Sequence, residues 1–404
     1  MTHSATPHNA GSLFHSFAKD YSRDTERSER AVSTLTRSAG SGSVLSVIEG
    51  LRIPKNQIFR KQAPMFAIGG YEALTNINNK YIISTCMKKY IVAIDIGGTN
   101  TKIALVKGFK LKERVSFPTD LCKGSNELVR FILFQMWELL SKAGLERKDI
   151  IGIGIGLPGL IDYKKGLVHY LVNVPGWKNV HLTKIIKKIT GLDTFIDNDV
   201  NIMTLAELYR GNARGSKNVL CITLGTGIGG GIVIDGKLYR GSSYSAGEIG
   251  HMTIDFNGQR CNCGNYGCIE TFVGNRYIVK KATEQLKKKK NRLLLKFTNG
   301  NLDRLTVDRL AKAANRGDKF SKDIWDNVGE YLGAALASVI NLLNPDKIVI
   351  GGGVSNAGGL LFGPVIKTIN KRAMKVPLKH VKILRSNLGE DAGLIGAAGL
   401  VMLG

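Results

Sequence analysis

The 404-residue sequence has no apolar run near the ~18 residues that a membrane-crossing helix needs. Its N-terminus does not combine a basic start, an apolar core and a small-residue cleavage site, which argues against secretion. A chain with no membrane partner and a cytoplasmic setting is therefore expected. Cysteine is scarce: six residues, Cys86, Cys122, Cys221, Cys261, Cys263 and Cys268. A disulfide scaffold is normally shorter and richer in cysteine, so the three within 261–268 point to a metal in a reducing compartment. Acidic residues are few, 32 against 57 Lys and Arg, for a net charge of +25. Such an excess can serve a polyanion. Here aromatic residues do not interleave with the basic ones, as a base-stacking surface would require. Many lysines instead fall on expected helices (Lys184, Lys187, Lys188, and the run 287–290), where they read as solvated faces. No nucleic-acid partner is expected.

What the chain does have is 43% apolar residues, enough for a large core and two domains. Residues 1–46 are rich in Ser, Thr and Arg and poor in large apolar side chains, a composition that does not fold alone. Residues 47–86 hold short apolar stretches without a sustained period. At Met87 the text changes, and Met-Lys-Lys-Tyr leads into the buried-strand pattern Ile91-Val92-Ala93-Ile94-Asp95. Residues 1–86 are thus read as a leader or over-extended start. A disordered tail or a targeting segment is the alternative, though Asp20, Asp24, Glu26 and Glu29 speak against an organellar transit peptide.

From residue 89 strands and helices alternate. Strands are expected at 90–95, 103–106, 150–156, 194–197, 219–224, 230–234 and 347–350. Helices are expected at 126–143, 182–190, 199–210, 272–290, 306–315, 320–343 and 391–402. The alternation predicts an α/β fold.

Three glycine-rich segments each follow an apolar strand. Asp95-Ile96-Gly97-Gly98-Thr99-Asn100-Thr101-Lys102 is the first. Glycines admit phosphate oxygens close to backbone N–H groups, Thr99 and Thr101 add hydroxyls, and Asp95 could hold Mg²⁺ through water. A tight hairpin turn also favours Gly-Gly-Thr, so this segment alone is weak. The second covers Gly225, Thr226, Gly227 and Gly229; the third holds Gly352 and Gly353. Three such loops suit a nucleotide lying between two domains, with the third near the adenosine.

His251 followed by Cys261, Cys263 and Cys268 predicts a closed Cys₃His zinc site, structural rather than Lewis-acidic. Buried free thiols, or a nucleic-acid-binding zinc finger, are the alternatives. In Asp197-Asn198-Asp199 the second acid stands at a helix start, where it could simply cap. Its functional reading is a general base accepting the proton of an attacking hydroxyl, with Asn198 bonding another hydroxyl. Glu248 and Glu270 flank the cysteine cluster and can accept hydrogen bonds from sugar hydroxyls.

Taken together, these residues resemble the ROK family of repressors, open-reading-frame proteins and sugar kinases. The resemblance runs over about residues 89–404. Its most specific part is Gly-Glu-Ile-Gly-His at 247–251 with Cys-x-Cys-Gly-x-x-Gly-Cys-x-Glu at 261–270. It implies an actin-like ATPase (ribonuclease H-like) duplicated fold. A small domain, 89–200, would be completed by the C-terminal helix (about 388–404), and a large domain, 201–387, would carry the zinc motif. Sugar contacts would fall on Gly159, Asn198, Asp199, Glu248, His251 and Glu270, with Asp199 as the base. ATP–Mg²⁺ would lie on Asp95, Gly97, Gly98, Thr99, Asn100, Lys102, Gly225, Thr226, Gly227, Gly229, Gly352 and Gly353. Zinc would be held by His251, Cys261, Cys263 and Cys268, with the other His251 nitrogen facing the sugar. A homodimer or homotetramer is implied. The stretches 156–162 and Asn173-Val174-Pro175-Gly176-Trp177 are similar to the family's glucokinases, which favours glucose. Kinases of N-acetylmannosamine or N-acetylglucosamine remain open. So does a repressor, which needs a helix-turn-helix before the first strand, where 1–86 shows no clean helix pair, and so does a zinc-organised binding protein without catalysis.

Overall fold

The computed structural model describes residues 89–171, 174–288 and 291–403, all within one unit, 68–404. The reading of residues 1–86 as a leader lies outside the described residues.

Two five-stranded sheets repeat one plan. The first has the order β3-β2-β1-β4-β8, from β1 (Tyr90–Ile96), β2 (Asn100–Lys107), β3 (Lys110–Pro118), β4 (Ile150–Leu157) and β8 (Thr194–Asn198). The second has the order β11-β10-β9-β12-β13, from β9 (Val219–Leu224), β10 (Ile228–Ile234), β11 (Lys237–Tyr239), β12 (Lys347–Gly351) and β13 (Lys382–Arg385). In each, an antiparallel three-strand meander is extended by two parallel strands. A small antiparallel sheet of β5 (Gly159–Asp162), β6 (Leu167–Leu171) and β7 (Lys178–Val180) adjoins the first. This is the duplicated α/β architecture of the actin-like ATPases.

The helices are α1 (Ser125–Lys142), α2 (Leu182–Thr190), α3 (Asp199–Arg210), α4 (Glu270–Val273), α5 (Asn275–Lys288), α6 (Arg292–Phe297), α7 (Val307–Asn315), α8 (Lys319–Leu343), α9 (Gly359–Arg372), α10 (Lys375–His380) and α11 (Ala392–Leu403). Leu128, Ile132 and Met136 of α1 cover one face of the first sheet. Leu394, Ala397 and Val401 of α11 cover the other, beside Ile91 and Ala93. The second sheet buries Ile222, Ile348 and Ile350 against Trp325, Leu332 and Leu336 of α8.

Helix α3 positions the site. It packs on β4 and β8 of the first sheet, on β9 and β10 of the second, and on α11. Glycines make that fit possible. A Cβ at Gly156 of β4 would strike Ile202, one at Gly231 of β10 would strike Thr204, and one at Gly396 of α11 would strike the Ile202 carbonyl. With no side chains in the way, the backbones close on α3 from three sides.

Three sequence expectations need correction. The helix read over 272–290 is broken at Gly274, which separates α4 from α5. Helix α9 was not anticipated, because Gly363 and Pro364 lie inside it. Strand β3 was also missed: its alternating charged residues give an edge strand with a half-exposed face.

Candidate active site

The first glycine segment is a hairpin turn. β1 and β2 pair through Ile96 and Thr101, and the Gly97 N–H donates to the Asn100 carbonyl at 2.9 Å. Gly98, Thr99 and Asn100 stand exposed at its tip. Thr101, expected to offer its hydroxyl to phosphate, is instead fully buried, its hydroxyl 3.0 Å from that of Thr119. Thr119 in turn donates to the Gly97 carbonyl at 2.7 Å, and so braces the turn from below. Lys102 pairs across the ladder with Asp95, but its ammonium is turned to Glu390, 3.2 Å from the carbonyl and 3.6 Å from the carboxylate. Asp95 lies against Gly393 at the start of α11, where a Cβ would strike its carboxylate. Burial raises the Asp95 pKa, and Lys102 partly offsets this. A cleft of about 380 Å³ runs beside the turn, lined by Gly98, Thr119, Asp120, Cys122, Lys123, Gly124 and the segment 174–176. Asn173 lies outside the described residues.

The second segment is the turn from β9 to β10, with the Gly225 N–H bonded to the Gly227 carbonyl and Thr226 exposed. Gly229 does not belong to that turn. It lies within β10 facing Val200 of α3, where its missing side chain serves packing. Gly352, at φ +84°, presses on the backbone of Leu224, which brings the third segment alongside the second. Gly353, itself exposed, begins the short helical turn that follows, in which Val354 and Ser355 are buried.

At the start of α3 two neighbouring side chains meet the same backbone N–H. Asn198 is the N-cap: its Oδ1 accepts from the Val200 N–H at 2.9 Å, and its Nδ2 donates to the Gly159 carbonyl at 3.3 Å. Gly159, at φ +150°, packs so tightly on Tyr170 that a Cβ would strike that carbonyl. Asp199, the first helical residue, shares that donor: its Oδ1 also accepts from the Val200 N–H, at 3.0 Å. Burial is the main cause that raises its pKa to about 7, and Asp95 and then Glu248 add repulsion against hydrogen bonds from the α3 backbone that lower it. Residues 95, 199 and 248 therefore share one electrostatic site.

His251 links Glu248 to the cysteines. Its Nε2 lies 3.9 Å from the Glu248 carboxylate and its Nδ1 3.7 Å from Cys261 Sγ. Cys263 Sγ is 3.6 Å from Cys268 Sγ, and the four ligand atoms lie within 4.8 Å of one another. Zinc bonds of the usual lengths give tetrahedral edges of roughly 3.5–3.8 Å between such donors. The His251–Cys261 and Cys263–Cys268 pairs have such separations, and the donor set is compatible with one tetrahedral ion. Glu270 opens α4 just past the last cysteine. Its Oε2 accepts from the Ile228 N–H at 3.0 Å, and its Oε1 is 3.9 Å from Arg276. It thus ties the cysteine segment to the second glycine turn.

The sequence reading assigned nothing to Arg240, Thr119 or Gly393. Arg240 reaches from the segment after β11 to Asp197, whose carboxylate accepts from its Nε at 2.7 Å. Among the described residues no helix is long and apolar enough to cross a membrane.

The ROK family model matches residues 91–403. A glucokinase of Halalkalibacterium halodurans is 38% identical over 316 residues, 78% of this chain and 95% of that protein. A ROK family glucokinase from Streptomyces griseus, solved with glucose and AMPPNP, is 30% identical with a TM-score of 0.66, covering 77% of this chain and 98% of that one. A ROK family transcriptional regulator, a homologue of the E. coli MLC protein, is 30% identical with a TM-score of 0.72, covering 79% of each chain. With the glycine turns, the Asn198–Asp199 helix start and the His–Cys₃ cluster held in one duplicated α/β fold, the chain belongs to the ROK family.

Proposed function

We propose that the chain is an ATP-dependent kinase of the primary hydroxyl of a hexose, glucose first, giving glucose 6-phosphate. The observation that carries this is the α3 start. Asn198 is the N-cap, and burial beside it, with repulsion from Asp95, raises the Asp199 carboxyl to about 7, suited to a general base. The hydroxyl proton passes to Asp199 as the hydroxyl oxygen bonds to the γ-phosphorus; the bond from that phosphorus to the β–γ bridging oxygen breaks, and ADP leaves. Gly97, Gly98, Thr99, Asn100, Gly225, Thr226 and Gly227 offer turn backbone to the phosphates, and Gly352 and Gly353 flank the nucleotide. Asp95 would hold Mg²⁺, which would supply charge neutralisation on the phosphates. Glu248, His251, Glu270, Asn198 and Gly159 orient the sugar. His251, Cys261, Cys263 and Cys268 hold zinc in a closed, structural set that aims the His251 ring.

The small domain is proposed as 89–200 with 388–404, the large one as 201–387; α11 packs on β1 and β4 of the first sheet, and also on α3 at the boundary. A cytoplasmic homodimer or homotetramer completes the proposal. An ADP-release assay over a hexose panel, with Asp199→Asn as control, tests it. No sugar-dependent ADP release by the unaltered chain would end it, whereas turnover only with N-acetylmannosamine or N-acetylglucosamine would move the substrate. The TM-score with the regulator favours a second function, sugar-responsive DNA binding. Salt-dependent retardation of operator-like DNA, without ADP release, would establish that one instead.

A further inference from the structure

Asp197 sits two residues before the proposed base, 2% exposed at the end of β8. Its Oδ1 accepts from the Asn198 N–H and the Asn201 Nδ2, each at 2.8 Å. Its Oδ2 accepts from Nε and Nη2 of Arg240, each at 2.7 Å. Four donors leave this carboxylate no free capacity for a ligand. Arg240 is equally confined. Its guanidinium lies 4.1 Å over the Tyr163 ring, which meets the Tyr244 ring edge-on at 5.1 Å.

The segment that Arg240 begins leads to the sugar side of the site. The Arg240 carbonyl accepts from the Ala246 N–H at 3.0 Å, closing residues 240–246 into a loop through Gly241 and Tyr244, both at positive φ. Gly247 then locks onto Gly230 of β10, where a side chain would strike the Gly230 carbonyl. Glu248 comes next. One end of this strap is pinned beside Asn198 and Asp199, and the other carries Glu248 and His251.

We propose that Arg240 is a positioning residue for the hexose site: clamped between Asp197 and Tyr163, it holds the 240–248 strap so that Glu248 and His251 stand in register with Asn198 and Asp199. This rests on the kinase assignment above. Arginine suits the post because a planar guanidinium can fork onto a carboxylate while stacking on a ring; the point charge of lysine can sit over a ring but cannot fork and stack at once.

The test is a kinetic split in the full-length, zinc-loaded chain. Arg240→Lys is expected to raise KM for the hexose about tenfold or more while KM for ATP stays within about twofold, with zinc content and melting temperature near normal. Arg240→Gln and Asp197→Asn should not add: their combination should cost no more hexose affinity than the worse single change. An unchanged hexose KM in Arg240→Lys, or equal loss of hexose and ATP affinity, overturns the proposal. Should the Arg240 variants not fold, Tyr163→Leu leaves the ion pair in place. It should raise the hexose KM in the same direction, and an unchanged hexose KM there also overturns the proposal. The unaltered chain separates the two ideas. If it releases no ADP with any hexose, the kinase assignment fails, and glucose affinity by calorimetry in the unaltered chain and Arg240→Lys decides the positioning role. No glucose binding by the unaltered chain sinks both.

Discussion

The Nδ1 of His251 stands 3.7 Å from the Sγ of Cys261 while the opposite ring nitrogen faces the Glu248 carboxylate. One imidazole therefore joins the cysteine cluster to Glu248, on the proposed sugar side of the site. A metal on that cluster would fix the tautomer and the aim of the ring. Cys263→Ser is expected to lose zinc and to weaken hexose binding in the same variant, by about tenfold or more if ligand and second-sphere effects are of the usual size. Metal analysis beside calorimetric sugar titration checks this. Zinc loss with unchanged sugar affinity would show that His251 is aimed by something else.

The pH dependence follows from the sign of the Asp199 shift. A carboxyl raised to about 7 by burial, with Asp95 adding repulsion, is protonated below that pH. A base works only when deprotonated, so activity should rise through neutrality and fall about tenfold per unit below it. In kcat/KM that limb reports the free enzyme. Asp199→Asn should abolish the limb and lower turnover by roughly 10²–10⁴. A profile flat from pH 5.5 to 8 in the unaltered chain would remove Asp199 from the base role.

At Gly393 the constraint is space. The Asp95 carboxylate fills the place where a Cβ would sit, at the N-terminal end of α11. Gly393→Ala must push either the helix or the carboxylate. A destabilisation of about 1–3 kcal/mol is expected, as for other overpacked sites, with a higher KM for ATP. Thermal unfolding and ATP kinetics measure both; a variant matching the unaltered chain in each would show that α11 gives way freely.

How far these relationships were legible in the sequence depends on their separation along it. Helices α2 and α3 and strand β9 were placed to the residue, because each carries its own period or unbroken apolar run. The Cys-x-Cys and Gly-Glu-Ile-Gly-His segments are local and were read directly. Gly229 falls in strand β10 rather than in the loop before it, and in sequence a glycine that admits Val200 looks like one in a turn. Asp197 and Arg240 are 43 residues apart, and only the close packing of α3 between the sheets brings β8 to the strap after β11. Nothing in the local sequence of either residue signals the other.

The brace under the first glycine turn gives the most discriminating pair of variants. The Thr119 hydroxyl donates to the Gly97 carbonyl and lies 3.0 Å from the buried Thr101 hydroxyl, so it can accept from that group at the same time. Thr119→Val keeps the shape and removes both bonds, leaving the Thr101 hydroxyl buried without a partner. A loss of about 1–3 kcal/mol is expected from the unmet polar group. Because the same hydroxyl holds Gly97, KM for ATP should rise with it. Thr119→Ser keeps the hydroxyl and should restore ATP affinity even where the lost methyl costs some stability. Chemical denaturation and ATP kinetics on the two variants separate a packing role from a positioning one. If serine and valine behave alike towards ATP, the hydroxyl does not set the turn.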